Sequence, residues 1–311
     1  MKKEELEKIL GTVDKYFTRD KEIEFSLEAN PETISSRDYL VGLLDLGINR
    51  LSLGVQSLDN SKLELLGRAH SAEKAISVCE MAKAAGFKNI NIDMLWGLPE
   101  QNHEGWLDDL EHIQQVDVQH ISCYGLTIEP DTPLAAGIEK GQFSLPDEEE
   151  QSKMFLYGSD FLSQKGYRHY EISNFAWPGY CCRHNLGYWH GCDYLGLGPS
   201  SVSTLSGKRC YNPQDWQAYE RKIARWNLFE EGEDLSSEEK DREYVMLKLR
   251  TSHGIDVEEF QLIRKKYLAR TDPDLLDMLS EQELIQNSHG SLRLTTKGML
   301  ISNEILARII F

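Results

Sequence analysis

The sequence has no C-x-x-C pair, no long apolar run and no surplus of positive charge. Its 311 residues carry 34 Lys and Arg against 51 Asp and Glu, a formal net charge of −17. Nucleic acids and anionic membranes are held by clustered Lys and Arg that release counterions, so this balance argues against both partners. No apolar run approaches the roughly 20 residues of a membrane span. The opening "MKKEELEKIL" reads as a charged helix and not as a signal peptide. The six cysteines, Cys79, Cys123, Cys181, Cys182, Cys192 and Cys210, are scattered. In a long chain without a signal peptide they read as reduced thiols of a cytoplasmic protein.

What is present is an alternation of two periods. Strands are expected at 22–31, 50–57, 89–99, 120–130 and 167–173. Helices are expected between them, at 35–47 with Ser35 as N-cap and Gly47 as stop, at 71–86, at 103–116 capped by Asn102, and at 147–166. The last has acids in its first turn, where the helix dipole favours them. Regular β-α-β-α order means a parallel sheet with covering helices, complete or open as a barrel. The length suits one large domain plus a small one, with a boundary expected near residue 205.

In such folds function sits at the C-terminal ends of the strands. Here those ends are polar on consecutive strands: Glu28-Ala29-Asn30, Gln56-Ser57, Asp93, and Tyr124 to Glu129. The run "RLSLGVQS" (50–57) alternates polar and apolar positions, as a strand with one buried face does, and then ends on an amide. These ends predict a lined mouth, which Arg68 of "LLGRAH" can enter. His70, His112, His120 and His169 are expected to be structural or solvated.

From residue 174 the pattern changes to a segment rich in aromatics, Gly, Cys and His without a clear period, read as a functional loop packed by its own aromatics. The spacing of Cys181, Cys182, His184, His190 and Cys192 fits no standard zinc pattern. Beyond about 235, helices at 236–250 (a capping box from Ser236 and Glu239), 257–268 and 272–284 precede a hairpin turned at 288–290 and a final helix. This order resembles a winged-helix module, but the acidic chain argues against DNA as its partner.

The strings "EANPETI" (28–34), "GINRLSLGVQSLDNSKLELLGRAH" (47–70), "NINIDMLWGLPEQ" (89–101), "HISCYGLTIEPDTPL" (120–134), "GYRHYEISNFAWPGYCCRHNLGYW" (166–189) and "YLGLGPSS" (194–201) resemble the radical SAM family of oxygen-independent coproporphyrinogen III oxidases. The likeness is strongest to its haem-chaperone branch. The resemblance implies a partial (β/α)6 barrel without its first two β/α units, followed by a small helical, winged-helix-like domain. It implies S-adenosylmethionine held by Glu28, Gln56, Arg68 and Asp93. It also implies haem held by His184 and Tyr188 of "HNLGY", and haem-accepting proteins as partners. The family's C-x-x-x-C-x-x-C, which carries a [4Fe–4S] cluster, has no counterpart in this sequence, so the chain as written is expected to lack the cluster and radical catalysis. The alternatives are the oxidative decarboxylation of coproporphyrinogen III and a catalytically inactive binding remnant.

Overall fold

The computed structural model describes residues 2–225, 232–267 and 274–310. The chain divides into two compact units, Met1–Cys181 and Cys182–Phe311. This division falls earlier in the chain than the boundary expected near 205.

The first unit runs α1 (Lys3–Tyr16), β1 (Ser26–Ala29), α2 (Arg37–Asp45), β2 (Arg50–Gln56), α3 (Asn60–Leu65), α4 (Ala72–Ala85), β3 (Ile90–Trp96), α5 (His103–Gln115), β4 (His120–Gly125), α6 (Pro133–Glu139), α7 (Glu148–Gln164), β5 (Arg168–Glu171) and β6 (Asn174–Ala176). The strands form one sheet in the order β1-β2-β3-β4-β6-β5. β1 to β4 are parallel, as expected. The far edge is not. β6 pairs antiparallel with both β4 and β5, so a hairpin closes the sheet. Three residues, Asn174 to Ala176, are too few to show a period, and this strand was invisible in the sequence.

Most helix ends follow their capping chemistry. Ser71, Asn102 and Asp147 each accept a hydrogen bond from the third backbone N–H of their helix. α2 is capped by Ser36 and not by Ser35, its neighbour in a Ser-Ser pair either of which fits the rule. α3 and α6 are additional short helices inside segments read as connections.

One face of the sheet is apolar. Leu51, Leu53 and Val55 of β2, Ile90 and Ile92 of β3, and Ile121 of β4 are buried against Leu43 of α2, Val78 of α4, Leu110 of α5 and Met154 of α7. α5 and α7 approach closely at Gly158, where a Cβ would stand 2.5 Å from Nε1 of the buried Trp106. Gly158→Val is therefore expected to destabilise the protein by about 3 kcal/mol, the upper end for overpacking a core. Urea unfolding measures it, and an unchanged midpoint would mean that the helices can part freely.

The opposite face carries the polar half of the alternation, and it too is covered: all seven residues of β2 are buried. The in-register polar residues Ser52, Asn91 and His120 cover this face with a hydrogen-bonded layer. The polar half of the alternation thus faces an interior.

The second unit runs α8 (Arg183–Trp189), β7 (Val202–Leu205), β8 (Lys208–Tyr211), α9 (Trp216–Ala224), β9 (Gly232–Asp234), α10 (Ser237–Leu249), β10 (Ile255–Asp256), α11 (Val257–Tyr267), α12 (Leu275–Glu281), β11 (Ile285–Ser288), β12 (Ser291–Leu294), α13 (Thr296–Leu300) and α14 (Ser302–Ile310). The segment read as a loop thus contains α8. The expected single last helix is two, α13 and α14. Leu268, Asp272, Pro273 and Phe311, at the ends of expected helices, lie outside the described residues. Ser236 and Glu239 form the capping box of α10. The sheet β10-β12-β11 with α10, α11 and α12 has the element order of a winged helix. Its hairpin turns on His289 and Gly290, both at positive φ (53° and 78°), the signature of a two-residue type I′ turn.

Candidate functional site

The ends of β1, β2 and β3 meet in one cavity, while Ser57 and Tyr124 to Glu129 are not among its lining residues. Glu28, Asn30, Ser52, Gly54, Gln56 and Asp93 line one cavity of about 480 Å3, within the roughly 300–1,000 Å3 of small-ligand pockets. Arg68 reaches its rim by donating to Asn30 Oδ1 at 3.2 Å. Three of the four residues expected to hold a cofactor thus share one cavity, and the fourth touches its wall.

Gln56 is placed by a bulge. Gly54 pairs with Asp93, while Gln56 and not Val55 pairs with Met94. The extra residue puts Gln56 at φ 74°, a left-handed conformation that a non-glycine residue adopts only when its surroundings hold it. His70 supplies part of that hold. Its Nε2–H donates to Val55 O at 3.1 Å, and its Nδ1 meets Glu32 Oε2 at 2.9 Å. The "GRAH" segment so ties the bulged end of β2 to the turn after β1, through Arg68 on one side and His70 on the other. Ser57 faces away: its hydroxyl donates to Asp109 Oδ2 at 2.9 Å.

Gly54 keeps the cavity open. A Cβ there would lie 2.9 Å from Asn30 Oδ1 and 3.0 Å from Gln56 Nε2. The field is anionic. Tyr124, 39% exposed, has its ionisation pushed up to about 12, first by removal of its hydroxyl from water and then by Asp93, with Glu171 and Glu28 adding to it. A ligand with a positive centre and hydroxyl donors suits such a wall. Ser52 and Gly54 of the cavity wall, and Asn91 behind it, were missed. Their signal was the same two-residue period that carried Glu28, Gln56 and Asp93.

The cysteines do not form a thiolate set. Cys79 and Cys123 are buried in α4 and β4, and burial raises both thiols, Cys79 to about 12. Among the described residues, three metal-ligating side chains converge at His103, Glu104 and Glu150, without a thiol. An iron–sulfur cluster takes thiolate ligands, so the residues present do not fit one. The cradle at Gly54 and the carboxylates around it do fit S-adenosylmethionine, which has an ammonium, a sulfonium and a ribose diol.

In the second unit, His184 and Tyr188 stand one turn apart on α8. Their rings meet edge-on with centroids 4.6 Å apart, and Tyr188 meets Tyr194 in the same way at 4.6 Å. Both His184 and Tyr188 are exposed.

The comparisons with known proteins give the class, the radical SAM α/β proteins with a HemN-type C-terminal domain. The family model for the Radical SAM superfamily matches residues 1–113, and that for the HemN C-terminal domain matches residues 235–301. The haem chaperone HemW of Bacillus subtilis (strain 168) is 31% identical over 98% of this chain and 81% of its own length. HemW of Haemophilus influenzae is 32% identical over 96% of this chain and 76% of its own length. The chain thus spans about four fifths of the length of such relatives. The solved structure of coproporphyrinogen III oxidase HemN from Escherichia coli superposes with a TM-score of 0.81 over 99% of this chain and 74% of that one, at 22% identity, which establishes the shared fold. The chain belongs to the HemW family of haem chaperones in the radical SAM superfamily.

Proposed function

We propose that this chain is a haem-binding chaperone that takes up haem in the cytoplasm and hands it to haem-accepting proteins, with S-adenosylmethionine as the ligand of the cavity at the strand ends. Residues 1–205 would form its radical SAM core and extension, and residues 206–311 its HemN-type domain. The observation that carries the haem reading is the exposed His184–Tyr188 pair on α8. Histidine is a common axial ligand of haem iron and tyrosine a rarer one. Two such groups stand one turn apart on an exposed helix surface, where a flat macrocycle can approach them.

At the rim of the cavity, Arg68 would fork onto the methionyl carboxylate. Gln56 and Asp93 would bond the ribose hydroxyls, and Glu28 would meet the ammonium or sulfonium charge. S-adenosylmethionine supplies, when bound with a cluster, the source of a carbon radical. No step of that kind is assigned to this chain, whose cysteines do not fit a cluster.

His184→Ala is expected to weaken haem binding tenfold or more, which is about 1.4 kcal/mol at the least, and to shift the Soret band. Tyr188→Phe should shift the band with little change in stability if the phenolate is a ligand. His112→Ala, on α5 in the other unit, should do neither. Haem titrations followed by absorbance decide it. Unchanged spectra in both α8 variants would place haem elsewhere and leave α8 a packing element.

A further inference from the structure

The polar face of the sheet holds one connected chain of hydrogen bonds, and its centre is Asn91. Asn91 Nδ2 lies 2.8 Å from Asp93 Oδ1 and 2.6 Å from Ser52 Oγ. Asn91 Oδ1 lies 2.5 Å from His120 Nδ1 and 3.1 Å from Ser122 Oγ. His120 Nε2 lies 2.8 Å from the Tyr170 hydroxyl. Ser52 Oγ in turn lies 3.0 Å from Asp93 Oδ2. Asn91, His120, Ser52 and Ser122 are all buried, while Asp93 stands at the end of the chain on the wall of the cavity.

The direction of every bond follows from the carboxylate. An ionised Asp only accepts, so the amide group facing it is the NH2 of Asn91, and the Ser52 hydroxyl donates to its other oxygen. Asn91 Oδ1 is then an acceptor, so Ser122 O–H and His120 Nδ1–H donate to it. His120 is fully buried, and its pKa lies well below the ordinary value because of burial first and Arg50 second. A neutral imidazole with its proton on Nδ1 has a bare Nε2, which accepts from Tyr170 O–H. The chain therefore runs Tyr170 → His120 → Asn91 → Asp93, with a second donor from Ser52. Each Asp93 oxygen accepts one protein bond, and each retains acceptor capacity for the cavity.

We propose that Asn91 is a positioning residue for Asp93, held in one amide orientation by the Nδ1–H tautomer of His120, so that both Asp93 oxygens are presented to a ligand carrying neighbouring hydroxyls, as a ribonucleoside does. The inference rests on reading the cavity as a nucleoside site. Asn91 touches no ligand itself. It fixes the carboxylate plane from behind, and a rotated Asp93 would meet one hydroxyl in place of two.

The test has a ligand-free arm and a ligand arm. Long-range 1H–15N spectra of the full chain labelled in histidine should show His120 protonated on Nδ1 and bare on Nε2. In Asn91→Leu the proton should move to Nε2, since Nδ1 loses its acceptor and the Tyr170 oxygen can accept. Calorimetry with S-adenosylmethionine and with its 2′-deoxy analogue forms the second arm. Asn91→Leu should weaken the first about tenfold and the analogue about twofold or less, and should add no loss in an Asp93→Asn background. Tyr170→Phe removes one hydroxyl far from the cavity and serves if Asn91→Leu does not fold. It should keep His120 protonated on Nδ1, since Asn91 Oδ1 still accepts there, and leave the affinity for S-adenosylmethionine within twofold; an Nε2–H tautomer in this variant would mean that Tyr170 and not Asn91 sets the orientation, and would overturn the proposal. An Nε2-protonated His120 in the unaltered chain, or equal losses for both ligands, overturns the positioning role alone. Failure of the unaltered chain to bind either nucleoside overturns the cofactor reading, and the role of Asn91 with it.

Discussion

Asp93→Asn is expected to weaken S-adenosylmethionine binding about a hundredfold and to leave the fold intact. The side chain is isosteric, and its surroundings accept an amide: Oδ1 can still accept from Asn91, and the new NH2 can donate to Ser52 Oγ if that hydroxyl turns. What is lost is charge. Hydrogen bonds to an ionised group contribute about 1.5–3 kcal/mol each, and a neutral amide offers the ribose one acceptor where the carboxylate offered two. The anionic field that Tyr124 registers, from Asp93 with Glu171 and Glu28, would also fall by its largest member. Calorimetry at fixed salt measures the affinity, and a thermal melt checks the fold. A loss below threefold with an unchanged melt would remove Asp93 from the binding site.

The second large effect is a pH dependence of stability in which two buried groups oppose each other. His169 has its pKa lowered to about 4, mainly by burial. Its neutral state is consistent with its contacts, since Nε2–H donates to Ile172 O at 3.2 Å and Nδ1 accepts from Ser159 Oγ at 3.0 Å. A folded pKa below the unfolded 6.5 means that its contribution is present above pH 6.5 and is lost as pH falls through about 4. Asp109 is the reverse. Burial pushes its pKa up to about 6, although Ser57 and the Leu58 N–H bond its carboxylate. A folded pKa above the unfolded 3.8 means that its contribution is full below that value and is lost as pH rises through about 6.

Between pH 7 and pH 4 the two nearly cancel in the unaltered chain. Single variants separate them. Relative to His169→Gln, the unaltered chain should lose about 3 kcal/mol of unfolding free energy over that interval. Relative to Asp109→Asn it should gain about 2 kcal/mol. Urea unfolding at pH 7, 6, 5 and 4 measures both. Parallel curves for either variant would show that its group does not titrate differently on folding. His120, lowered in the same direction as His169, tips the remaining balance toward acid instability.

Much of this protein is legible in its amino-acid order because the determining physics is local. A two-residue polar period on β2 and β3, stop residues such as Gly86, and cap residues such as Ser71, Asn102 and Ser236 act over a few positions. They set the strands, the helices between them and the C-terminal hairpin without reference to distant partners. Glu28, Gln56 and Asp93 could be named together because parallel strands joined by helices must end at one edge. That rule converts three separate sequence positions into one wall.

Other features had no local cause. Asn174 to Ala176 form a strand because β4 and β5 leave unpaired backbone on either side of them, and three residues alone carry no period. The Gln56 bulge is held in part from His70, 15 positions away, through Val55 O. The polar face of β2 is buried because Asn91 of β3 hydrogen-bonds Ser52 there, and His120 of β4 in turn hydrogen-bonds Asn91. A buried polar residue is tolerated only when distant partners complete its hydrogen bonds. The sequence determined which residues could reach the cavity, and tertiary contact alone decided their orientation, their protonation and the partners that hold them.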